Sequence, residues 1–170
     1  VTHLHRLARR LWTELAGRDF RPLGSTELTA MLDESRKELG LVGFTTEFLK
    51  VEWDAIVDTW GLSEWAEYRS VSRAGRGTAL GARQRRDVWA VFGSVLARMR
   101  RECAFTWVRL CQEVATRLDA GSQRPFRHVL ADEVQDFGPA ELRLLRALCP
   151  AESDDLLLCG DPGQRIFRAR

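Results

Sequence analysis

The sequence lacks any long apolar run and any recognisable signal peptide. A membrane-spanning helix needs about 20 consecutive, mostly apolar residues, and no stretch approaches that length. The first residues also lack the basic start, apolar core and cleavage site of a secretory signal. We therefore expect a cytoplasmic protein with no membrane partner.

Cysteine pairs at metal-binding spacing are also missing. The four cysteines show no C-x-x-C pattern, so the sequence has no signature of a structural zinc site. Disulfides are not expected in a cytoplasmic chain. We interpret the cysteines as small buried residues; they are Cys103, Cys111, Cys149 and Cys159.

Lysine is scarce, since Lys37 and Lys50 are the two lysines among 26 basic residues. With 24 acidic residues the formal net charge is +2, which permits nucleic-acid binding without requiring it. Hydrophobic residues make up 45% of the chain and charged residues 29%, which is typical of a folded globular domain. The first residue is Val1 rather than methionine, and we expect the chain to be part of a longer protein.

Apolar residues recur at helical spacing over most of the sequence before Pro125. Serine or threonine precedes several of these segments and glycine follows them, as is typical of helix ends. The pattern predicts helices that begin near residues 4 and 82. It predicts others after N-cap residues, namely Ser25, Thr45 or Thr46, Ser63 and Thr106.

The pattern changes after Pro125, where two short apolar runs flank one helical segment. Each run ends in acidic residues, as buried parallel strands with ligand sites often do. We predict adjacent parallel strands over about 126–131 and 155–159, joined by a helix over about 139–148 that begins at Pro139. Because ligands bind at the carboxyl ends of such strands, the two polar segments should converge on one edge.

The first polar segment, DEVQD at 132–136, places three carboxylates and one amide in five positions. An aspartate at a strand end suits a hard cation such as Mg²⁺. A glutamate beside it can take a proton from a water that attacks a phosphate. A solvated acidic loop is the alternative for Asp-Glu alone. The second segment, GDPGQRIF at 160–167, favours the catalytic interpretation.

These two segments resemble motifs II and III of superfamily 1 DNA helicases of the UvrD/Rep type, and the resemblance covers residues 126–167. It implies a helix-dominated α/β fold, with a partial P-loop NTPase (RecA-like) parallel sheet and a helical inserted subdomain. The implied domains are an N-terminal helix of the motor core, the inserted subdomain and the βαβ part of the ATPase core. Their limits would be 1–20, 21–121 and 122–170.

The resemblance implies roles in the hydrolysis of ATP with Mg²⁺. Asp132 would hold Mg²⁺ together with Glu133, and Glu133 would also be the general base. Gln164 would sense the γ-phosphate and relay its state toward DNA. The remaining residues implied at the nucleotide site are Gln135, Asp136 and Asp161.

The resemblance also implies contacts with single-stranded DNA. The segment HLHRLARRLW at 3–12 is similar to the T-F-H-S-L segment that helps to bind single strands in the family. Because His3 and Leu4 replace the threonine and the phenylalanine, we carry over only His5. Phe167 stands where the family has an aromatic side chain on which a DNA base stacks. The alternative is that Phe167 is an ordinary aromatic residue of the core.

An arginine-rich segment at 69–86 contains no acidic residue and surrounds several glycines. Such a segment suits contacts with the phosphates of duplex DNA, which position a protein without reading sequence. A solvated face with mixed ion pairs is the alternative. Its arginines are Arg69, Arg73, Arg76, Arg83, Arg85 and Arg86.

No G-x-x-x-x-G-K-[ST] phosphate loop occurs in the sequence, and GRGTALGAR at 75–83 lies between predicted helices rather than after a strand. The resemblance therefore implies that the ATP-binding loop precedes Val1 and that the second motor domain follows Arg170. We expect the isolated 170 residues neither to bind ATP well nor to hydrolyse it. We also expect an open apolar sheet edge, which either drives association or is covered by the N-terminal segment.

Several functions are compatible with these motifs and with the resemblance to the UvrD/Rep family. The first is a translocase that couples ATP hydrolysis to movement on single strands and to duplex unwinding. Others are a related ATPase that remodels a protein machine such as RNA polymerase, and the helicase part of a recombination nuclease. A binding scaffold without activity is disfavoured, because no structural need explains Asp132, Glu133 and Gln164 together.

Overall fold

The computed structural model of the chain describes residues 2–73 and 79–164. The chain divides into two compact units, and unit 2 (Arg21–Thr106) lies in sequence between the two segments of unit 1 (Val1–Phe20 and Trp107–Arg170). The fold is a helix-dominated α/β structure, as predicted, with small parallel sheets among the described residues, one of them in the part of the chain for which only helices were predicted. None of the helices within the described residues combines the length and the apolar character that crossing a membrane requires.

Unit 2 is built mainly from helices around an aromatic core. Trp53 and Tyr68 both pack edge-on against Phe92, at ring-centroid distances of 5.5 and 5.7 Å. Two residues at each end of the unit form a parallel ladder, in which Arg21 pairs with Ala104. The elements in chain order are β1 (Arg21–Pro22), α2 (Ser25–Glu38), α3 (Thr46–Glu52), α4 (Trp65–Ser70), α5 (Ala82–Glu102) and β2 (Ala104–Phe105).

A π-helical segment, Trp53–Asp58, continues directly from α3. The sequence predicted one uninterrupted helix here. The wider turn is visible in the backbone, because the N–H of Thr59 donates to the carbonyl of Asp54, five residues earlier. Such segments are rare and often lie at functional or strained positions.

The predicted N-caps are right at α3 and wrong at α2 and α4. The hydroxyl of Thr45 accepts the N–H of Phe48 at 3.1 Å. Helix α2 begins at Ser25 itself, after Gly24. Helix α4 follows Glu64, whose backbone N–H donates to Oε2 of Glu67 at 3.0 Å. A serine beside a helix start therefore did not identify the N-cap position, which lies one residue before Ser25 in α2 and one residue after Ser63 in α4.

Unit 1 contains α1, α6 and a strand–helix–strand segment. Helix α6 packs against both α1 and α7. The predicted domain limits grouped α6 with the inserted subdomain, whereas the structure groups it with unit 1. Helical spacing shows which face of α6 is apolar but not which partner covers that face. The elements are α1 (Leu4–Ala16), α6 (Trp107–Ala120), β3 (Val129–Ala131), α7 (Pro139–Ala147) and β4 (Leu156–Leu158).

Strands β3 and β4 are adjacent and parallel, as predicted, although each is shorter than predicted. Backbone hydrogen bonds of 2.8 Å continue the ladder just beyond both ends. Leu130 and Leu157 are register partners and are 76% and 55% exposed, so one face of this small sheet is apolar and uncovered. Among the described residues each strand has one paired neighbour, so the outer edges are open, and the predicted association through them stays a prediction.

Candidate active site

The acidic segment begins where β3 ends, and its backbone turns sharply at Glu133. Glu133 has φ 58°, in the left-handed region. For a residue with a side chain this conformation costs roughly 1–2 kcal/mol. The side chain of Asp132 offsets part of this cost, since its Oδ1 accepts the N–H of Glu133 at 2.9 Å. The turn leaves both carboxylates exposed at the carboxyl end of the strand.

Gln135 connects the acidic segment to the segment that follows β4. Its Oε1 accepts the backbone N–H of Asp161 at 3.1 Å, and its Nε2 donates to Oε2 of Glu133. The backbone adds a second link, because the N–H of Val134 donates to the carbonyl of Cys159 at 3.1 Å. The two polar segments therefore converge on one edge, as predicted.

Gly160 permits this close approach. A Cβ at position 160 would overlap Oε1 of Gln135 and would lie 3.1 Å from Cγ2 of Val134. The backbone N of Gln135 would be 3.2 Å away. A side chain at position 160 therefore fits only if the amide of Gln135 moves away from the backbone of Asp161.

Replacing Gly160 by alanine should destabilise unit 1, because the amide of Gln135 or the backbone must move. We expect a loss of about 1–3 kcal/mol in the free energy of unfolding, as for other overpacked sites. Urea denaturation of the purified chain measures it. Gly121→Ala is the matched control in the same unit, since its Cβ would have no neighbour closer than 3.6 Å. Equal stability of the two variants would contradict the packing argument.

Asp161 organises the turn that carries Gln164. Its Oδ1 accepts the N–H of Gly163 at 2.8 Å, and its Oδ2 accepts Nε2 of Gln164 at 3.0 Å. The N–H of Gln164 also donates to the carbonyl of Asp161 at 3.0 Å. In this structure Asp161 therefore orients Gln164, while its predicted contact with a cofactor stays a prediction.

The arrangement fits Mg²⁺ as far as the donor set is concerned. Asp132 and Glu133 are exposed carboxylates side by side. No group of three or more His, Cys, Asp or Glu side chains within residues 2–73 and 79–164 could hold a metal ion alone. Mg²⁺ commonly takes one or two carboxylates and completes its shell with water and phosphate oxygens. Hard oxygen donors at an open strand end are suitable for such a shared site.

The comparison with protein families gave one match of direct relevance. The family model described as the UvrD/REP helicase N-terminal domain matches residues 85–170, half of the chain. The chain belongs to the UvrD/Rep helicase family. The match includes both polar segments, and it also covers α6 and nearly all of α5, for which the sequence alone suggested no family. The comparison with curated proteins gave no match.

His5, the residue that the UvrD/Rep resemblance relates to single-stranded DNA, lies near the start of α1. Its Nε2 is 3.6 Å from Oε1 of Glu141. The other carboxylate oxygen of Glu141 accepts the N–H of Gly138 at 3.1 Å. Gly138 follows the acidic segment by two residues, so Glu141 contacts both His5 of α1 and the backbone just after that segment. Burial alone would raise the pKa of Glu141. The His5 ring and backbone N–H groups lower this pKa by more, so it lies below its ordinary value.

Glu141→Gln should reveal this lowered pKa as a pH-dependent loss of stability. Glutamine keeps an oxygen for Gly138 but loses the charge. Because the folded-state pKa is below the unfolded value of 4.5, ionised Glu141 stabilises the fold above pH 4.5. This contribution disappears as the pH falls through the folded-state pKa. We expect urea unfolding to show a difference between wild type and variant at pH 7 that shrinks toward pH 3. A difference that is constant with pH would contradict the ionic contribution.

The predicted DNA contact by Arg73 is wrong in this structure. Its Nε and Nη2 donate to the two carboxylate oxygens of Glu52, at 2.6 and 2.9 Å. The hydroxyl of Tyr68 donates to the same carboxylate at 2.9 Å, and Glu52 is fully buried. Burial, followed by the charge of Glu52, raises the pKa of Tyr68. Arg73 thus neutralises a buried acid in unit 2 instead of facing solvent.

Among the other arginines of the arginine-rich segment at 69–86, some bond to the protein and others are exposed. Arg85 donates to the carbonyl of Arg69 at 2.9 Å, at the end of α4, where helix carbonyls lack intrahelical partners. Arg83 and Arg86 are exposed, as the DNA interpretation requires, and their contact with phosphates stays a prediction. Two further predicted contacts lie outside the described residues, namely Arg76 and Phe167.

Two residues that the structure brings into contacts of interest, Glu52 and Trp107, were not among those that the sequence indicated. Glu52 had a detectable signal, because it lies three residues after Leu49 and four before Ile56, at the spacing of an apolar helix face. An acid at such a position needs a buried cation. Trp107 had no comparable signal, since the first residue of a helix carries no fixed expectation of burial.

Proposed function

We propose that the chain contributes the catalytic carboxylates to an ATP-dependent DNA helicase or translocase. The observation that carries the proposal is the bridge made by Gln135 between Glu133 and Asp161, because it joins the two family motifs at one strand edge. Membership of the UvrD/Rep family supports the same activity. In the proposal, β3 and β4 are two strands of a RecA-like sheet, and α7 is the helix that connects them.

The proposed mechanism follows from the orientation of two side chains. Gln135 donates to Oε2 of Glu133 and leaves Oε1 to accept a proton from an attacking water. Asp161 accepts one N–H of the Gln164 amide, and the second N–H of this amide can donate to an oxygen of the γ-phosphate. Asp132 would hold Mg²⁺, which when bound would offset the negative charge of the phosphates.

The bridge also connects the two roles. The amide of Gln164 donates to the carboxylate of Asp161, and the backbone N–H of Asp161 donates to Gln135. A movement of Gln164 would therefore disturb the residue that Gln135 contacts. Gln135 in turn contacts Glu133, the proposed base. The proposal therefore places the sensor of the γ-phosphate and the general base in one hydrogen-bonded set.

The test is an assay of the full-length protein for ATP hydrolysis and for duplex unwinding. We expect hydrolysis to increase on addition of single-stranded DNA, and a duplex with a single-stranded tail to be separated only with ATP. DNA-stimulated hydrolysis without unwinding would favour a translocase that remodels another complex, with release of a stalled RNA polymerase as its assay. No ATP hydrolysis under any of these conditions would overturn the proposal.

A further inference from the structure

A π-helical segment determines where Trp60 lies on unit 2. Leu49, Trp53 and Ile56 are buried, at the spacing of an apolar helix face. In an uninterrupted α-helix Trp60, four residues after Ile56, would continue that face. The π-helical segment Trp53–Asp58 holds one additional residue in its turn, which rotates the residues after it by about 100°. Trp60 is 54% exposed, so the backbone directs this indole away from the core.

The end of the helix fixes the outward position of Trp60. Gly61 has φ 65°, and its N–H donates to the carbonyl of Asp58 at 3.1 Å. The N–H of Leu62 donates to the carbonyl of Val57 at 2.9 Å, which completes a common type of helix end that depends on glycine. Leu62 is 8% exposed and continues the apolar face in place of Trp60. The exposure of Trp60 therefore belongs to an ordered backbone and not to a frayed helix end.

Packing within unit 2 does not explain this geometry. An uninterrupted α-helix would bury the indole of Trp60, which the hydrophobic effect favours. Single exposed apolar side chains are common, but π-helical segments are rare and frequently lie at functional sites. A tryptophan that a rare backbone geometry exposes is characteristic of a contact with a partner.

The charges of the segment around Trp60 are of one sign. Residues 51–68 contain five acidic residues and no lysine, arginine or histidine, although the chain as a whole has a slight excess of basic residues. Two of these carboxylates are neutralised within the unit, and the pairs are Glu52 with Arg73 and Asp54 with Lys50. The acidic residues that follow Trp60 give this part of the surface a negative charge.

The two carboxylates that follow Trp60 belong to Glu64 and Glu67, which are both exposed. Oε2 of Glu67 accepts the backbone N–H groups of Ser63 and Glu64, at 2.6 and 3.0 Å. These bonds tie the first turn of α4 to the short connection after Gly61, so both carboxylates are held close in the chain to the indole. Within residues 2–73 and 79–164 neither carboxylate forms an ion pair.

An exposed indole combined with carboxylates suits a cationic ligand. Guanidinium and ammonium groups bind over the face of an indole ring, and carboxylates accept hydrogen bonds from the same groups. The phosphates of a nucleic acid would be repelled, because phosphate contacts require lysine or arginine. A bound metal ion does not fit either, since the described residues hold no group of three or more suitable ligands. The remaining ligand class is a polypeptide segment that carries arginine or lysine.

We propose that the surface formed by Trp60, Glu64 and Glu67, the Trp60 surface, docks an arginine- or lysine-containing segment of a partner polypeptide. The inference goes beyond the proposed function, since it involves neither ATP nor DNA. It assigns the π-helical segment of unit 2 a role, which is to present the indole to the partner.

The test measures binding of the 170-residue chain to a short fluorescein-labelled peptide of alternating arginine and alanine by fluorescence anisotropy. Trp60→Ser should weaken binding by at least about fivefold, as expected for the loss of a partly desolvated contact between a cation and an indole. Trp60→Phe should lose less, because phenylalanine also binds cations. Val42→Ser is the matched control, since Val42 is another exposed apolar residue of the same unit, and it should bind like wild type.

The contribution of the carboxylates is tested by Glu64→Gln combined with Glu67→Gln. Glutamine at position 67 keeps an oxygen for the backbone N–H groups. The double variant should bind the peptide about two- to fivefold more weakly at low salt, and the difference should shrink at high salt. Glu38→Gln is the matched control, an exposed glutamate of the same unit. In nitrogen–proton correlation spectra of wild type, the indole N–H signal that Trp60→Phe removes should shift when peptide is added.

Several outcomes would overturn the inference. They are no saturable binding of the peptide by wild type, equal binding by Trp60→Ser, and equal binding of a peptide with glutamate in place of arginine. Binding of labelled oligothymidine that Trp60→Ser abolishes would assign the surface to nucleic acid instead. Self-association of wild type in analytical ultracentrifugation that Trp60→Ser abolishes would assign it to a second copy of the chain. Circular dichroism melting confirms that each variant folds.

Discussion

Glu133→Gln lowers ATP hydrolysis by the full-length protein by about 10²- to 10⁴-fold, which is the usual contribution of a positioned general base. Glutamine preserves the size of the side chain and its acceptance of the Gln135 amide, but it cannot take a proton from water. Binding of Mg²⁺-ATP should therefore remain intact. Steady-state hydrolysis, together with nucleotide binding measured by calorimetry, separates the two effects.

Two further variants show whether the loss of hydrolysis in Glu133→Gln is specific to the general base. Glu152→Gln is the matched control, because Glu152 is an exposed glutamate of the same unit outside both motifs, and it should retain wild-type turnover. Asp132→Ala should instead weaken the engagement of Mg²⁺-nucleotide and raise KM. If Glu133→Gln turns over ATP at the wild-type rate, another group activates the water and the proposed role of Glu133 is wrong.

Glu52→Ala should destabilise the chain by about 3–5 kcal/mol, the usual effect of removing one partner of a buried ion pair. The variant leaves the guanidinium of Arg73, with its side chain 5% exposed, without its bidentate carboxylate. It also removes the acceptor of the Tyr68 hydroxyl. Urea unfolding followed by tryptophan fluorescence measures the loss, and a separate early transition would assign it to unit 2.

Glu38→Ala is the control for Glu52→Ala, because Glu38 is an exposed glutamate at the end of α2 in the same unit. The double variant Glu52→Leu with Arg73→Met should be less destabilised than Glu52→Ala, since it removes both charges and keeps apolar volume. A loss below about 1 kcal/mol for Glu52→Ala would be characteristic of an exposed pair and would contradict the buried arrangement.

The sequence predicted the strand–helix–strand segment and the convergence of its polar ends. Those features depend on local signals: short apolar runs, Pro139 at a helix start, and polar residues at strand ends. The strands themselves are shorter than predicted, at three residues each. A strand needs a hydrogen-bonded neighbour as well as an apolar run. The N–H of Phe126 donates to the carbonyl of Leu148, just after α7, and pairing with β4 begins at Val129.

The errors concern contacts between residues that are distant in sequence. Arg73 and Arg83 look alike in an arginine-rich segment, yet the first meets an acid 21 residues away and the second is exposed. The grouping of α6 with unit 1 depends on which helices cover its apolar face, and periodicity does not identify them. The bridge by Gln135 likewise joins residues 26 positions apart, at a distance set by the absence of a side chain at Gly160.

The parallel ladder between β1 and β2 has a consequence for how this protein can be modified. It places the two ends of unit 2 on neighbouring strands, which lie about 5 Å apart in any sheet. In unit 1 the residues that flank the insertion, Phe20 and Trp107, touch each other. Excision of residues 21–106 and their replacement by a few glycines therefore requires no long linker. The same proximity makes this position a natural acceptor for a foreign domain whose own termini are close together.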